Sequence, residues 1–188
     1  ISALGDGMSF LALVWLVLEC TDDPALVGVL AAVYTAPVVV GGLVAGVILD
    51  RFDRRTVLIG DNAIRGLAVA SVPIAATFGL LTTAQLFVVA GIYGLLFMVS
   101  LAGVPSILPS LVEEDELTTA NAMETLSYAI AGLAGPALAG VAIALVSAPA
   151  VLAIDAATYA IFVGCLVLMR PLPAHAAASD AASADALA

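Results

Sequence analysis

Three acidic residues stand inside long apolar stretches of the sequence, at Asp6, Glu124 and Asp155. A charged side chain in a bilayer interior costs about 2.5–3.5 kcal/mol on insertion scales, so an acid there tends to mark function or a buried partner. These carboxyl groups could line a central cavity and bind a proton, a cation or a substrate. As an alternative, Asp6 and Asp155 could only fix packing through hydrogen bonds to neighbouring helices, and Glu124 could extend toward the surface. We expect no basic residue deep enough to pair with all three.

A second group of charged residues begins where a long apolar run ends. Asp50 lies at the C-terminal end of a predicted helix, where a lone carboxylate is unfavourable because of the helix dipole, and the arginines that follow offset it. Asp61 and Arg65 are four residues apart, so they can pair on one helical face. The pattern predicts a charge network that gates the cytoplasmic mouth of the bundle; the alternative is that the arginines only anchor the topology. The predicted network comprises Gly46, Asp50, Arg51, Arg54, Arg55, Asp61 and Arg65.

The composition is that of an integral membrane protein. Of the 188 residues, 63% are hydrophobic and 11% are charged, with a mean hydropathy of +1.20, whereas a soluble domain is usually nearer half apolar. The net charge of −10 leaves no basic face for a nucleic acid. The sequence also contains no Gly-rich nucleotide loop, no Ser/His/Asp set and no metal-ligand cluster. We therefore expect no enzyme activity, no cofactor, no metal and no nucleic-acid partner.

Six apolar segments are long enough to span a membrane, which takes roughly 20 residues. They predict an all-α, six-helix transmembrane bundle over residues 1–170, followed by a flexible cytoplasmic tail at residues 171–188. The arginines lie after the second and sixth segments, so the positive-inside rule places that side and both termini in the cytoplasm, with the bundle in the cell membrane. We interpret Tyr93 and Tyr159 as interface anchors or packing residues. The predicted helices are residues 3–18, 25–49, 56–80, 84–108, 118–146 and 150–169.

Small residues mark a packing surface in the fifth segment. Ala131, Gly135 and Ala139 form one stripe, with a second small-residue stripe beside it. Such rows let two helix backbones approach closely, and Pro136 should kink the helix. We therefore predict a helix-packing motif at Gly135, Pro136 and Gly140.

Three motifs resemble those of the major facilitator superfamily. The run Gly46-x-x-x-Asp50-Arg51-x-x-Arg54-Arg55 resembles that superfamily's loop between helices two and three, with Asp53 where the family motif has Gly. Gly135-Pro136 resembles the helix-five signature of its exporters and antiporters. The residues from Leu108 to Ala122 resemble the loop before helix five and the start of that helix in its exporter branch for drugs, macrolides and siderophores such as enterobactin.

The resemblance implies the N-terminal six-helix half of a twelve-helix secondary transporter, built from two inverted three-helix repeats. It implies efflux of an amphipathic small molecule by alternating access, coupled to protons. The implied partners are this substrate, membrane lipid and a C-terminal six-helix half beyond Ala188, since we read the chain as a fragment that starts without Met.

One departure from the superfamily bears on coupling. Many of its proton-coupled exporters carry an Arg in helix four, whereas residues 84–108 contain no charge. Coupling would then rest on acids elsewhere or on the other half. The alternatives to a two-half transporter are a non-transporting scaffold or regulatory subunit, and a half-size transporter that forms homodimers.

Overall fold

The computed structural model describes residues 2–169, which form six long α-helices and one turn of 3-10 helix at Leu108–Ser110. All six helices are long and apolar enough to cross a membrane. The predicted fold class, an all-α six-helix bundle, is confirmed. Arg170 and the predicted tail at residues 171–188 lie outside the described residues. The helices are α1 Ser2–Thr21, α2 Pro24–Arg51, α3 Arg54–Thr77, α4 Thr83–Ile107, α5 Leu117–Leu145 and α6 Ala148–Leu168.

Capping residues decide where several of these helices begin. Asp23 accepts a hydrogen bond from the backbone N of Ala25 at 2.9 Å and precedes Pro24, a favoured first helical residue. Asp53 caps α3 by accepting from the backbone N of Thr56 at 2.8 Å and from its hydroxyl at 2.7 Å. These two hydrogen bonds hold the pKa of Asp53 below its ordinary value. α3 therefore starts two residues earlier than the apolar pattern predicts.

The helices pack in a pattern that has the symmetry of an inverted repeat. α1 packs along α5, α2 along α4 and α3 along α6, while α3–α4 and α1–α6 form the next most extensive contacts. Exchanging α1 with α4, α2 with α5 and α3 with α6 leaves this set of helix pairs unchanged. The first and last three helices therefore make equivalent contacts, as two three-helix repeats would.

Close backbone contacts hold the α1–α5 pair together. On the α1–α5 pair, a Cβ at Gly135 would lie 3.0 Å from the Cα of Gly7. Ala131 and Ala139 are buried on the same stripe of α5. Pro136 and Gly140 lie on the exposed face, and a Cβ at Gly140 would meet no atom within 4 Å. Gly140, which the sequence places in the packing motif, thus makes no close contact within the described chain. It lies on the second small-residue stripe of α5, which is rotated about 100° from the stripe that faces α1.

Apolar side chains form two separate cores. The larger one lies toward the end of the bundle where α1 meets α2, and it includes Leu13, Leu30 and Val69. The smaller one lies near the α2–α3 loop and is built from Leu58 and residues near the ends of α4 and α6. The space between the two cores holds the polar side chains described next.

Candidate functional site

A layer of polar side chains crosses the bundle between the two apolar cores. On the buried face of α3, Leu58 belongs to the smaller core and Val69 to the larger one, with Asp61 and Arg65 between them. α1, α4 and α6 add their own polar residues at the same level. We refer to this set as the polar layer: Asp6, Ser9, Asp61, Asn62, Arg65, Tyr93, Ser100, Asp155, Thr158 and Tyr159.

Arg65 is at the centre of the polar layer and is 1% exposed. Its Nη2 donates to Asp61 Oδ2 at 3.0 Å and also to the hydroxyl of Ser100. Its Nη1 donates to the Tyr159 hydroxyl at 3.0 Å and lies 3.6 Å from Asp6 Oδ2. One buried guanidinium therefore links α1, α3, α4 and α6.

Asp6 accepts hydrogen bonds from two tyrosines. The hydroxyl groups of Tyr93 and Tyr159 both donate to Oδ1, at 2.7 Å and 2.6 Å. The other oxygen, Oδ2, faces Arg65 beyond hydrogen-bond distance. The Asp6 side chain is 14% exposed, so it is the more accessible of the two carboxyl groups that pair with Arg65, since Asp61 is 1% exposed by side chain.

Asp155 is buried and bound by hydroxyl groups alone. Ser9 of α1 donates to its Oδ2, and Thr158 donates to its Oδ1 at 3.1 Å. No cationic side chain among residues 2–169 forms an ion pair with it. A side chain at Gly5 would place a Cβ 2.9 Å from the Asp155 Cγ, so the absence of a side chain there leaves room for this carboxyl group.

Glu124 lies apart from the polar layer, on α5. Its side chain is partly buried, and its Oε1 has no hydrogen-bond partner within the described part of the chain. The three predicted deep acids therefore do not form one group: Asp6 and Asp155 contribute to the polar layer and Glu124 does not.

The arginines after α2 hold helix ends together. Arg54 donates to the Ser106 carbonyl near the end of α4 at 2.7 Å. Arg55 donates to the Leu166 and Val167 carbonyls of α6 at 2.7 Å and 2.9 Å. These carbonyls belong to the last turns of their helices, which lack internal partners and carry partial negative charge. The two guanidinium groups thus fasten the start of α3 to the ends of α4 and α6.

The predicted charge network is divided in the structure. Asp61 and Arg65 do pair, but they join Asp6 in the polar layer and not the arginines at the junction of α2 and α3. Arg65 is eleven residues past Arg54, which is about 16 Å along a helix, and its side chain points inward. Gly46, Asp50 and Arg51 are exposed, and within residues 2–169 Asp50 forms no ion pair.

Sequence reasoning missed the partners that lie far apart along the chain. Tyr93 and Tyr159 are each 1% exposed and bind Asp6, so they are not at an interface. A pattern could have shown part of this, because Asp155 and Tyr159 are four residues apart and share a helical face. Ser9 and Ser100 had no signal, since an isolated Ser in an apolar helix has no distinctive spacing.

The polar layer contains more acids than cations. Asp6, Asp61 and Asp155 bring three carboxyl groups, and Arg65 is the cation that the described residues place among them. A low-dielectric site with an excess of carboxylates favours the uptake of protons, because burying unpaired charge is costly. The arrangement is therefore suited to binding and releasing protons at mid-depth in the bundle.

Comparisons with known proteins agree with this architecture. The family model described as transmembrane secretion effector matches residues 1–184. An uncharacterized MFS-type transporter, y4rN of Sinorhizobium fredii, is 30% identical over 92% of this chain and 43% of its own length. The multidrug efflux pump Tap of Mycobacterium tuberculosis is 39% identical over 40% of this chain and 18% of its own. The uncharacterized MFS-type transporter YfiS of Bacillus subtilis is 28% identical over 85% of this chain and 37% of its own.

The chain spans less than half the length of these curated relatives. No solved structure gave a significant match. The family match covers nearly all of the chain, and the structure supplies the six apolar helices that such a protein requires. The chain therefore belongs to the transmembrane secretion effector family of major facilitator superfamily transporters.

Proposed function

We propose that this protein exports amphipathic small molecules, such as drugs, macrolides or siderophores, and that an inward flow of protons drives the export. The relative named as a multidrug efflux pump supports the direction and the substrate class. The chain would be one half of the transporter, in the cell membrane with both termini in the cytoplasm.

The observation that carries this proposal is the polar layer. A buried Arg65 shared between two carboxyl groups ties four helices together. A proton that binds there changes the charge of the layer and so the contacts among α1, α3, α4 and α6. Such a change can favour one of two arrangements of packed helices, which is what alternating access requires.

A second six-helix half is the partner that the exposed surfaces suggest. Leu43 on α2 is 76% exposed and Leu133 on α5 is 83% exposed, so these helices present apolar faces to lipid or to another bundle. Asp50 and Arg51 are exposed at one end of α2. We propose that they latch the cytoplasmic gate against the second half, while Arg54 and Arg55 keep their own half rigid.

Transport by the complete protein in liposomes tests this function. We expect a fluorescent amphipathic cation such as ethidium to be expelled only when a pH gradient is imposed. The variants Asp6→Asn and Asp155→Asn should abolish gradient-driven export, and Glu124→Gln tests whether the acid outside the polar layer also takes part. Export that proceeds at the same rate without a gradient would refute proton coupling.

A further inference from the structure

A groove of about 500 Å³ opens between α1 and α5, at the end of the bundle where α1 meets α2. We propose that this α1–α5 groove binds one phospholipid with an ammonium headgroup, phosphatidylethanolamine, whose ammonium pairs with Glu19 while an acyl chain follows the apolar wall. The inference adds a lipid site to the protein and goes beyond the proposed export. The groove is lined by residues that include Leu11, Trp15, Glu19, Gly140, Ile143 and Ser147.

The groove exists because α5 carries small residues beside α1. Gly140 and Ala144 are four residues apart, so they share one face of α5, and both line the groove. A Cβ at Gly140 would meet no atom within 4 Å, so the space beside this residue is open. Leu11 and Ile143 supply apolar walls. The volume lies within the range of about 300–1,000 Å³ that is usual for ligand sites.

The depth of the groove fits a lipid. Arg65 is at the middle of α3 and lies 3.6 Å from Asp6, so Asp6 is near the middle of the bilayer. At 1.5 Å per residue along α1, Trp15 is about 14 Å and Glu19 about 20 Å beyond Asp6. The hydrocarbon core ends roughly 15 Å from the bilayer centre and the headgroup region roughly 20 Å from it. Trp15 therefore lies at the boundary where tryptophan is enriched, and Glu19 lies among the headgroups.

The charges around the groove match a zwitterionic headgroup. Glu19 is exposed and forms no ion pair within residues 2–169. Trp15, one turn earlier, adds an aromatic surface of the kind that attracts ammonium groups. Ser147 and Ala148 line the same groove at the N-terminus of α6, where the partial positive charge of the helix favours a phosphate. A carboxylate and a helix N-terminus in one groove suit an ammonium that is joined to a phosphate.

The arginines of the described chain strengthen this assignment by their position. Arg51, Arg54 and Arg55 are at the opposite end of the bundle, and Arg65 is in the polar layer. Within residues 2–169, the protein thus places no cation beside Glu19, and an ammonium group from the membrane can take that place. A simple amphipathic cation would also pair with Glu19, but it would leave the N-terminus of α6 without an anion.

The test measures how fast a thiol in the groove reacts with a water-soluble maleimide in the complete protein. The thiol is introduced by Ala144→Cys at an exposed position, with the native cysteines replaced by alanine. The nanodiscs contain phosphatidylglycerol with increasing fractions of phosphatidylethanolamine. We expect phosphatidylethanolamine to slow the reaction. In Glu19→Gln the lipid fraction that halves the rate should rise about two- to fivefold, the effect of losing an exposed ion pair.

Two matched pairs of variants separate the groove from its surroundings. Asp22→Asn removes an acid at the same end of the bundle but outside the groove lining, and Asn accepts the φ of 51° found there. Its response to phosphatidylethanolamine should equal that of the parent. Gly140→Leu should fill the groove and abolish the response. Gly132→Leu, about two turns earlier on α5, where a Cβ also meets no atom within 4 Å, should retain it.

Several results would overturn the inference. One is a labelling rate that does not depend on phosphatidylethanolamine, and another is the same response in Glu19→Gln, Asp22→Asn and the parent. A thiol that stays unlabelled in every nanodisc would mean that protein covers the groove. If tetraphenylphosphonium slows the reaction in pure phosphatidylglycerol and phosphatidylethanolamine does not, the groove binds amphipathic cations and the lipid assignment fails. None of these measurements uses a proton gradient, so their outcome is independent of the proposed export.

Discussion

Replacing Gly94 with Ala should destabilise the bundle, although Ala is the better helix former. Gly94 faces α2, and a Cβ there would lie 2.8 Å from the carbonyl carbon of Tyr34 and closer still to its oxygen. Carbon atoms rest at about 3.5–4.0 Å, so α2 and α4 would have to separate by roughly 1 Å. The obstacle is backbone, which cannot rotate away as a side chain can.

The expected loss is about 1–3 kcal/mol, as for other overpacked cores. Gly91, one turn earlier on α4, is the matched control, because its Cβ would meet only Val33 Cγ1 at an ordinary 3.6 Å. Gly91→Ala should therefore be neutral or gain up to about 1 kcal/mol from helix propensity. The measurement is the fraction of complete protein that stays monodisperse in detergent after heating.

Two variants of equal stability, or a Gly94→Ala protein more stable than the parent, would show that α2 and α4 do not pack as described.

The Gly94→Ala substitution should also disturb the polar layer. Tyr34 stacks on Tyr93 at a centroid distance of 5.7 Å, and Tyr93 donates to Asp6. Gly94→Ala should thus also weaken transport in the molecules that still fold.

Three further predictions concern residues at the junction of α2 and α3. Arg55→Gln removes a charged donor from two carbonyls of α6 and should cost about 1–3 kcal/mol of stability in detergent, whereas Arg51→Gln, at an exposed site, should stay within about 0.5 kcal/mol of the parent. Asp50→Asn should reduce transport several-fold in liposomes with no loss of folded protein. Hydrogen bonds from Thr56 lower the pKa of Asp53, so the Asp53 carboxylate stabilises the folded protein at pH values above the ordinary pKa of an aspartate. This contribution should be lost as the pH falls below about 4, which heat stability measured against pH will show.

Each of these has a clear contrary result. Equal losses in Arg51→Gln and Arg55→Gln would mean that the carbonyl contacts of α6 contribute nothing. Parental transport rates in Asp50→Asn would remove that residue from the gate. A variant with Asp53→Ala that shows the same loss of stability between neutral pH and pH 3 as the parent would assign that loss to other acids.

The fold could be predicted from the sequence because the bilayer imposes it. Runs of about 20 apolar residues have no other stable form in lipid than a helix, and the charged breaks between them mark the loops. The apolar pattern does not give the helix ends, since α3 begins at a cap and not at its first apolar residue. Asp53 departs from the family motif, and its structural role is to start that helix.

The site was predictable only where its members lie close together along the chain. The Asp61–Arg65 pair follows from a spacing of four. The depth of this pair in the bundle and its contact with Asp6 do not follow from spacing. Residues of the site such as Asp6 and Tyr159 are 153 residues apart, and periodicity says nothing about which helices become neighbours. The deep acids stand out in the sequence because of their cost in a bilayer, but the sequence does not show that Arg65 reaches the level of Asp6 and pairs with it.

The arginines of α3 have two different roles, because their guanidinium groups bind different kinds of acceptor. Arg54 and Arg55, in the first turn, reach carbonyl groups that α4 and α6 cannot bond themselves. These acceptors have a fixed partial charge, so the contacts do not change when a proton arrives. Arg65 reaches carboxyl groups, whose charge does change. One helix therefore contacts its neighbours through acceptors of fixed charge at its first turn and through carboxyl groups at its middle. In the proposed transport cycle, α3 is the element through which protonation of the polar layer would act on α4 and α6.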